Sequence, residues 1–207
     1  MGQSLKPPRT EMASIQLPPV QTPVAIIDQF IAQQTESLVL KEKILTLSGD
    51  SFDVKLVTGE PIFRIKGKPF SISGRKSVFD MEGNHLFDIV KERLHLHSTY
   101  VVQALDGSKL LEVKSSFSLI GSNATVSFTP SSTEGLVSLN MKGNWRSRKA
   151  AIVDAATGAV VAQIDRKRFN ARQIFFHQQT YVVMVAPGVD LALITALCVC
   201  FDEKNND

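Results

Sequence analysis

Basic side chains are concentrated in one late segment of the chain, between Lys142 and Arg172. This segment has a net charge of +6 over 31 residues, whereas the remaining residues have a net charge of −3. Lysine and arginine bind phosphate groups through their charge, and arginine adds forked hydrogen bonds. The sequence therefore predicts an anion-binding surface, here called the basic patch, whose residues are Lys142, Trp145, Arg146, Arg148, Lys149, Arg166, Lys167, Arg168 and Arg172.

A predicted β-hairpin brings the two halves of the basic patch together. The runs "KAAIVDA" and "AVVAQID" flank a turn around Ala155–Gly158, which is the pattern of two antiparallel strands. This turn predicts that Arg148 lies opposite Asp165 and that Arg146 lies opposite Lys167. Trp145 is next to Arg146 in the chain and is included in the patch, because tryptophan favours membrane interfaces and stacks with cations.

Several ligands are compatible with such a patch, and the sequence leaves them open. A phosphoinositide or an anionic membrane surface is one candidate, since each basic residue near an anionic leaflet contributes about 1 kcal/mol. A protein partner is a second candidate, and nucleic acid is less favoured. A solvated face that binds nothing is the simplest interpretation of a charge run. A second, weaker basic stretch contains Lys66, Lys68, Arg75 and Lys76.

Residues suited to catalysis or metal binding are few. His95 and His97 would share one face of a strand, but three or four ligands are usual for zinc, so we interpret them as exposed; His85 and His177 stand alone. Four carboxylates lie in or beside predicted turns, where they would accept local backbone hydrogen bonds: Asp80, Asp88, Asp106 and Asp154. Neither a nucleophile elbow nor a phosphate loop occurs. We therefore predict a protein that is not an enzyme and has no metal or cofactor.

The elements that would position the basic patch are β-strands. Gly59, Gly83 and Gly107 are 24 residues apart, and each lies between two short runs of alternating apolar residues. This spacing predicts repeated β-hairpins, and the chain as a whole offers about a dozen candidate strands. A single antiparallel sheet of that size is expected to close in order to protect its edges. The predicted fold is mainly β, a closed antiparallel barrel.

The final apolar run, Leu191 to Phe201, predicts a helix inside that barrel. Eleven residues are too few to span a membrane, which takes about 20. Asp190 is a suitable N-cap, and the apolar residues cover all sides of the predicted helix, at about 190–203, so it should be buried. Cys198 and Cys200 would then be small buried hydrophobic residues. A helix in the lumen also argues against a lipocalin-like carrier.

The beginning of the chain differs in composition from the rest. Residues 1–23 hold five of the nine prolines and are predicted to form a disordered or loosely docked tail, with the barrel domain at 24–207. The start lacks the apolar core of a signal peptide, and Lys6 departs from the myristoylation motif after Gly2. A cytoplasmic location is predicted, with peripheral plasma-membrane association or the nucleus as further options.

Several segments resemble the LURP-one-related proteins, a family known mainly from plants. "GVDLALITALCVCFDEKNND" after "YVVMVAPG" is similar to the family's C-terminal signature. "FDVKLVTGEPIFRIKGK", "KSVFDMEGNHLFDIVKERLHLHSTYVV" and "MKGNWRSRKAAIVDAATGAVVAQIDRK" are similar to its hairpins, in the same order. The resemblance implies the tubby C-terminal-like fold, a twelve-stranded barrel around a central helix that is shared with tubby and the phospholipid scramblases.

The resemblance also carries functional expectations, although no ligand motif transfers residue by residue. It implies a non-enzymatic module in signalling or defence-type regulation, and tubby domains bind phosphoinositides. Combined with the basic patch, this predicts binding to phosphoinositide or an anionic membrane surface. The alternative is a protein-interaction or regulatory scaffold without a lipid ligand.

Overall fold

A computed structural model gives the architecture of the chain. It describes residues 16–41, 51–67, 74–92, 99–116, 123–131, 135–144, 149–165 and 180–206. Of the candidate strands, "RQIFFH" at 172–177 lies outside these residues.

Twelve strands form among the described residues. They are β1 (Glu36–Lys41), β2 (Ser51–Leu56), β3 (Pro61–Gly67), β4 (Lys76–Asp80), β5 (His85–Glu92), β6 (Thr99–Gln103), β7 (Lys109–Ser116), β8 (Asn123–Phe128), β9 (Val137–Asn144), β10 (Lys149–Asp154), β11 (Val160–Asp165) and β12 (Thr180–Val185). Each pairs antiparallel with the next along the chain, and β1 pairs with β12. The predicted closed antiparallel barrel is confirmed.

One α-helix, α1 (Leu191–Asn206), follows β12 and lies within the barrel core. Residues 192–201 are fully buried, as expected for a helix that is apolar on every side. The backbone N–H of Ala192 donates to Asp190 Oδ1 at 2.7 Å. The predicted buried helix and its Asp190 N-cap are therefore confirmed.

The antiparallel order gives the barrel two unlike ends. The connections after β2, β4, β6, β8, β10 and β12 lie at the end where α1 begins, and this is called the turn end. The connections after β1, β3, β5, β7, β9 and β11 join strand ends at the opposite end, where α1 finishes, and this is called the open end.

The turn end repeats one loop geometry three times. There are three-residue loops at 57–59, 81–83 and 105–107. Each ends in a glycine whose N–H donates to the backbone carbonyl of the residue just before the loop. Gly107 illustrates the requirement, because its φ of +85° is strained for any residue with a Cβ. The period of 24 residues seen in the sequence is thus a repeated turn of type I with a glycine bulge.

Residues 16–34 pack across the turn end and over the start of α1. The N–H groups of Val20 and Val24 donate to Pro187 O and Gly188 O, each at 3.0 Å. Leu17 is buried in the core. Gly188 has a φ of +87°, and a Cβ at this position would lie 2.6 Å from Val20 Cγ2. The described part of the N-terminal segment therefore closes this end of the barrel.

Candidate functional site

Two residues of the basic patch, Lys142 and Lys149, lie within the described ranges, and both are toward the open-end side of their strands. Lys142 is an exposed residue of β9, and Lys149 is the first residue of β10, paired with Asn144 and Asp165. The other residues of the patch lie outside the described residues: Trp145, Arg146, Arg148, Arg166, Lys167, Arg168 and Arg172. The composition of the patch as a binding site stays a prediction.

The predicted pairing of Arg148 with Asp165 is wrong, since Lys149 is the residue opposite Asp165. Near the turn, Val153 pairs with Val160, which is the predicted register. A bulge then leaves Val161 without a partner on β10, so that Ile152 pairs with Ala162. One extra residue on β11 shifts every later pair by one position.

Charge is segregated between the two ends of the barrel. The six connections at the open end contain two acidic residues, Glu42 and Asp50, and ten basic ones: Lys43, Lys68, Arg75, Arg93, Arg146, Arg148, Arg166, Lys167, Arg168 and Arg172. The six connections at the turn end contain no lysine or arginine and five acidic residues: Glu60, Glu82, Asp106, Glu134 and Asp190. The connections thus differ in amino-acid charge between the two ends; Arg75 is the one open-end residue of this set within the described ranges, and Asp190 at the turn end is buried.

The second basic stretch is divided by the fold. Lys66 is exposed, with Nζ 4.5 Å from the centroid of the Phe79 ring, and Lys68 lies outside the described residues. Arg75 Nη1 contacts Asp88 Oδ2 at 2.5 Å. Lys76 lies inside the barrel and pairs with Glu203 of α1, both side chains being buried. Lys76 and Val78 are two residues apart on β4, so their side chains point to the same, inward face of the strand. This alternation was visible in the sequence.

Two further predictions were wrong: that Asp88 lies in or beside a turn, and that His85 stands alone. Asp88 lies within β5, away from the turns, and accepts hydrogen bonds from Ser77 Oγ at 2.6 Å and from Arg75. His85 is not isolated, because its Nε2 lies 3.0 Å from Asp88 Oδ1. Burial raises the pKa of Asp88, but the hydrogen bonds from Ser77, Arg75 and His85 outweigh burial and lower it. Asp88 therefore offsets part of the charge that Arg75 contributes at the open end.

The remaining three carboxylates have the turn role that was predicted. Asp80 accepts from the N–H groups of Glu82 and Asn84, Asp106 from Ser108, and Asp154 from Ala156 and Thr157. The Asn84 side chain lowers the pKa of Asp80. These hydrogen bonds account for the carboxylates without a catalytic role.

Side chains around the last turn of α1 are polar but enclosed. Tyr181 Oη donates to Asp202 Oδ2 at 2.9 Å. Burial raises the pKa of the Cys198 and Cys200 thiols, and both side chains are fully buried, as predicted. Thiols in such surroundings are poor nucleophiles.

The described residues contain neither a metal-binding cluster nor a membrane-spanning helix. No three histidine, cysteine, aspartate or glutamate residues among them are grouped so that they could hold a metal ion; His95, His97 and His177 lie outside this part of the chain. Likewise, no helix in the described ranges combines the length and apolar character needed to cross a membrane.

Comparison with known proteins identifies the family. The profile described as LURP-one-related matches residues 36–202, which covers all twelve strands and most of α1. The chain belongs to the LURP-one-related family. The resemblance of its hairpins and C-terminal signature is thus confirmed.

Individual relatives cover nearly the whole length of the LURP-one-related chain. It is 26% identical over 184 residues to Protein LURP-one-related 10 of Arabidopsis thaliana, covering 86% of this chain and 94% of that protein. It is 22% identical over 190 residues to Protein LURP1 of the same plant, covering 89% and 91%. An X-ray structure of an Arabidopsis thaliana protein superposes with a TM-score of 0.63 at 19% identity, covering 89% of this chain and 99% of that one. This structural similarity supports the fold.

Proposed function

We propose that this LURP-one-related protein is a non-enzymatic module that binds anionic phosphate groups at a membrane surface through the open end of its barrel. The proposal includes a regulatory role in signalling or defence, at the cytoplasmic face of the plasma membrane. One observation carries it: ten basic and two acidic residues occur in the connections at the open end, and five acidic residues occur at the turn end.

Electrostatics favours one orientation of such a barrel on a membrane. An anionic leaflet attracts the open end and repels the turn end, and each basic residue within a Debye length contributes about 1 kcal/mol. Trp145 is suited to the headgroup level, where tryptophan is enriched. The phosphate groups of a phosphoinositide would add forked hydrogen bonds with arginine to this general attraction.

Vesicle co-sedimentation tests the proposal with two matched variants. In Lys142→Glu/Lys149→Glu the charge is reversed at the open end, and in Lys55→Glu/Lys109→Glu it is reversed by the same amount at the turn end. The full chain is mixed with vesicles of phosphatidylcholine alone, with phosphatidylserine, or with phosphatidylinositol bisphosphate. We expect sedimentation only with the anionic vesicles, weakened by salt and lost in the open-end variant but not in the turn-end variant.

Two outcomes would contradict it. Absence of sedimentation at low salt would exclude membrane binding and leave a scaffold without a lipid ligand. Equal loss in both variants would mean that net charge, and not the open end, drives binding. Addition of soluble inositol trisphosphate separates the ligand sources: displacement from the vesicles indicates headgroup contact, whereas no displacement indicates attraction to surface charge alone.

A further inference from the structure

Exposed apolar side chains occur at one end of the barrel. Within the described ranges, four large hydrophobic residues are exposed: Val57, Met81, Leu105 and Leu136, with exposed fractions of 42%, 40%, 62% and 72%. All four lie in connections at the turn end, between successive hairpin strands from β2 to β9. Single exposed hydrophobic residues are common on protein surfaces, but a concentration at one end indicates an interaction surface.

Turn geometry does not require these side chains. Val57, Met81 and Leu105 are the first residues of the three equivalent loops, and this position of a type I turn accepts most residue types. The β10–β11 hairpin at the same end has Ala155 and Ala156 in its loop. Turn geometry alone therefore does not explain the apolar residues at these three equivalent positions.

Their spacing suits a helix. Neighbouring strands are about 4.8 Å apart, so equivalent points on successive hairpins, two strands apart, are about 10 Å apart. An α-helix with an apolar residue at every seventh position places those residues about 10.5 Å apart along one face. Two or three such residues would contact successive loops.

Charge defines the rest of the partner. Glu60, Glu82 and Asp106 are exposed in the same loops, and no lysine or arginine occurs in the connections at this end. Lys109, the first residue of β7 after the 105–107 loop, has its Nζ 3.7 Å from Glu112 Oε1. A partner that is basic beside its apolar stripe complements this surface, whereas a second acidic turn end is repelled.

We propose that the turn end binds a basic amphipathic helix of another protein. This site is separate from the open end and does not rest on membrane binding. Since the two surfaces lie at opposite ends of the barrel, one molecule could bind a membrane and a helix at the same time and so hold the helix near the membrane.

Fluorescence anisotropy with a labelled synthetic peptide tests the site. The probe has leucine at every seventh position and lysine beside this stripe; a second peptide of the same composition has leucine at every fifth position. We expect the full chain to bind the first peptide at least about tenfold more tightly than the second. The variant Val57→Ser/Met81→Ser/Leu105→Ser should weaken binding of the first peptide at least about tenfold, as expected when apolar contacts at an interface are lost.

Control variants separate apolar contact from charge and from misfolding. Ala155→Ser/Ala156→Ser changes the fourth loop at the same end and should leave binding unchanged. Glu60→Lys/Glu82→Lys leaves the apolar residues in place and should weaken binding through charge. Circular dichroism and thermal unfolding verify that each variant is folded before binding is compared.

Three results would overturn the proposal. They are equal affinity for both peptides, undiminished binding by the folded triple serine variant, and no binding of either peptide. Self-association in sedimentation velocity that disappears in the triple serine variant would assign the surface to a second copy and would also overturn it. Vesicle binding at the open end is unaffected by any of these results, so the two proposals fail separately.

Discussion

The two ends of α1 are fixed in place by different chemistry. At the turn end, Asp190 Oδ2 accepts from the N–H groups of Ile26 and Ile27 at 3.1 and 2.9 Å, and Oδ1 accepts from Ala192. At the open end, buried side chains pair with one another, Lys76 with Glu203 and Tyr181 with Asp202. At the turn end a carboxylate satisfies backbone N–H groups, and at the open end buried charged and polar side chains satisfy one another.

Helix polarity explains the difference. The N–H groups at a helix start favour a carboxylate, whereas the carbonyl groups at its end favour a cation such as Lys76. Backbone hydrogen bonds at the turn end also hold residues 16–34, which precede the matched residues 36–202.

The largest effect should come from a charge placed between the two ends. Ala196 is fully buried in the middle of α1, so Ala196→Asp would bury an unpaired carboxylate at a free-energy cost of several kcal/mol. We expect loss of the folded state in circular dichroism and thermal unfolding. Ala156→Asp, in an exposed loop of the turn end, is the matched control and should unfold as wild type. A folded Ala196→Asp protein would contradict a buried helix that joins the two ends.

The open end should be the more sensitive to loss of one partner. Lys76→Met leaves Glu203 buried without its cation, and a broken buried ion pair destabilises a protein by about 3–5 kcal/mol. Glu203→Gln on this background removes the remaining charge, so the double variant should recover much of the loss. Chemical denaturation of both single variants and the double variant gives the coupling free energy. Additive effects would show that the two side chains do not act as a pair.

The turn end should lose less, and its loss should depend on pH. Asp190→Ala removes the acceptor of three backbone N–H groups, and we expect a decrease of about 2–4 kcal/mol in the free energy of unfolding. Burial raises the pKa of Asp190 from 3.8 to about 6, although the hydrogen bonds from Ile27, Ala192 and Ile26 act in the opposite direction.

The sign of the pH effect follows from that raised pKa. Because the pKa of Asp190 is higher in the folded state than in the unfolded chain, proton binding to Asp190 stabilises the folded state. This stabilisation is fully present below pH about 4 and is lost as the pH rises through about 6. The stability difference between wild type and Asp190→Ala, measured by denaturation from pH 4 to pH 7, should therefore be larger at pH 4. A difference that grows with pH would mean that the backbone donors dominate and hold the carboxylate ionised.

Local sequence was sufficient to predict the turn end. The glycine period, the Asp190 cap and the buried helix depend on residues close together in the chain, and each was confirmed. By contrast, the docking of residues 16–20 involves partners such as Thr35 and Pro187, which no short pattern connects to them. The charge segregation could be inferred only after the order of all twelve strands was known.

Two of the errors in predicting the site, the Arg148–Asp165 pairing and the isolated His85, have the same physical cause, a β-bulge. His85 and Asp88 are three residues apart and would lie on opposite faces of a regular strand. A bulge leaves Leu86 unpaired between His85, opposite Phe79, and Phe87, opposite Val78, which brings His85 and Asp88 to the same face. The bulge at Val161 shifts the Lys149–Asp165 pair in the same way. Bulges depend on both strands and on the barrel around them, so a single strand's pattern does not reveal them.

The smallest predicted effect tests whether the repeated loops of the turn end depend on their glycines. Gly107 has a φ of +85° and open space where a Cβ would lie, so Gly107→Ala should cost only backbone strain, about 1 kcal/mol. Gly135, at the same end, also has open space but no positive φ, so Gly135→Ala should be neutral or slightly stabilising. Gly107→Asn should be milder than Gly107→Ala, because asparagine tolerates the left-handed region. Equal unfolding midpoints for the two alanine variants would mean that the loop relaxes, and that the turn end is less rigid than its hydrogen bonds indicate.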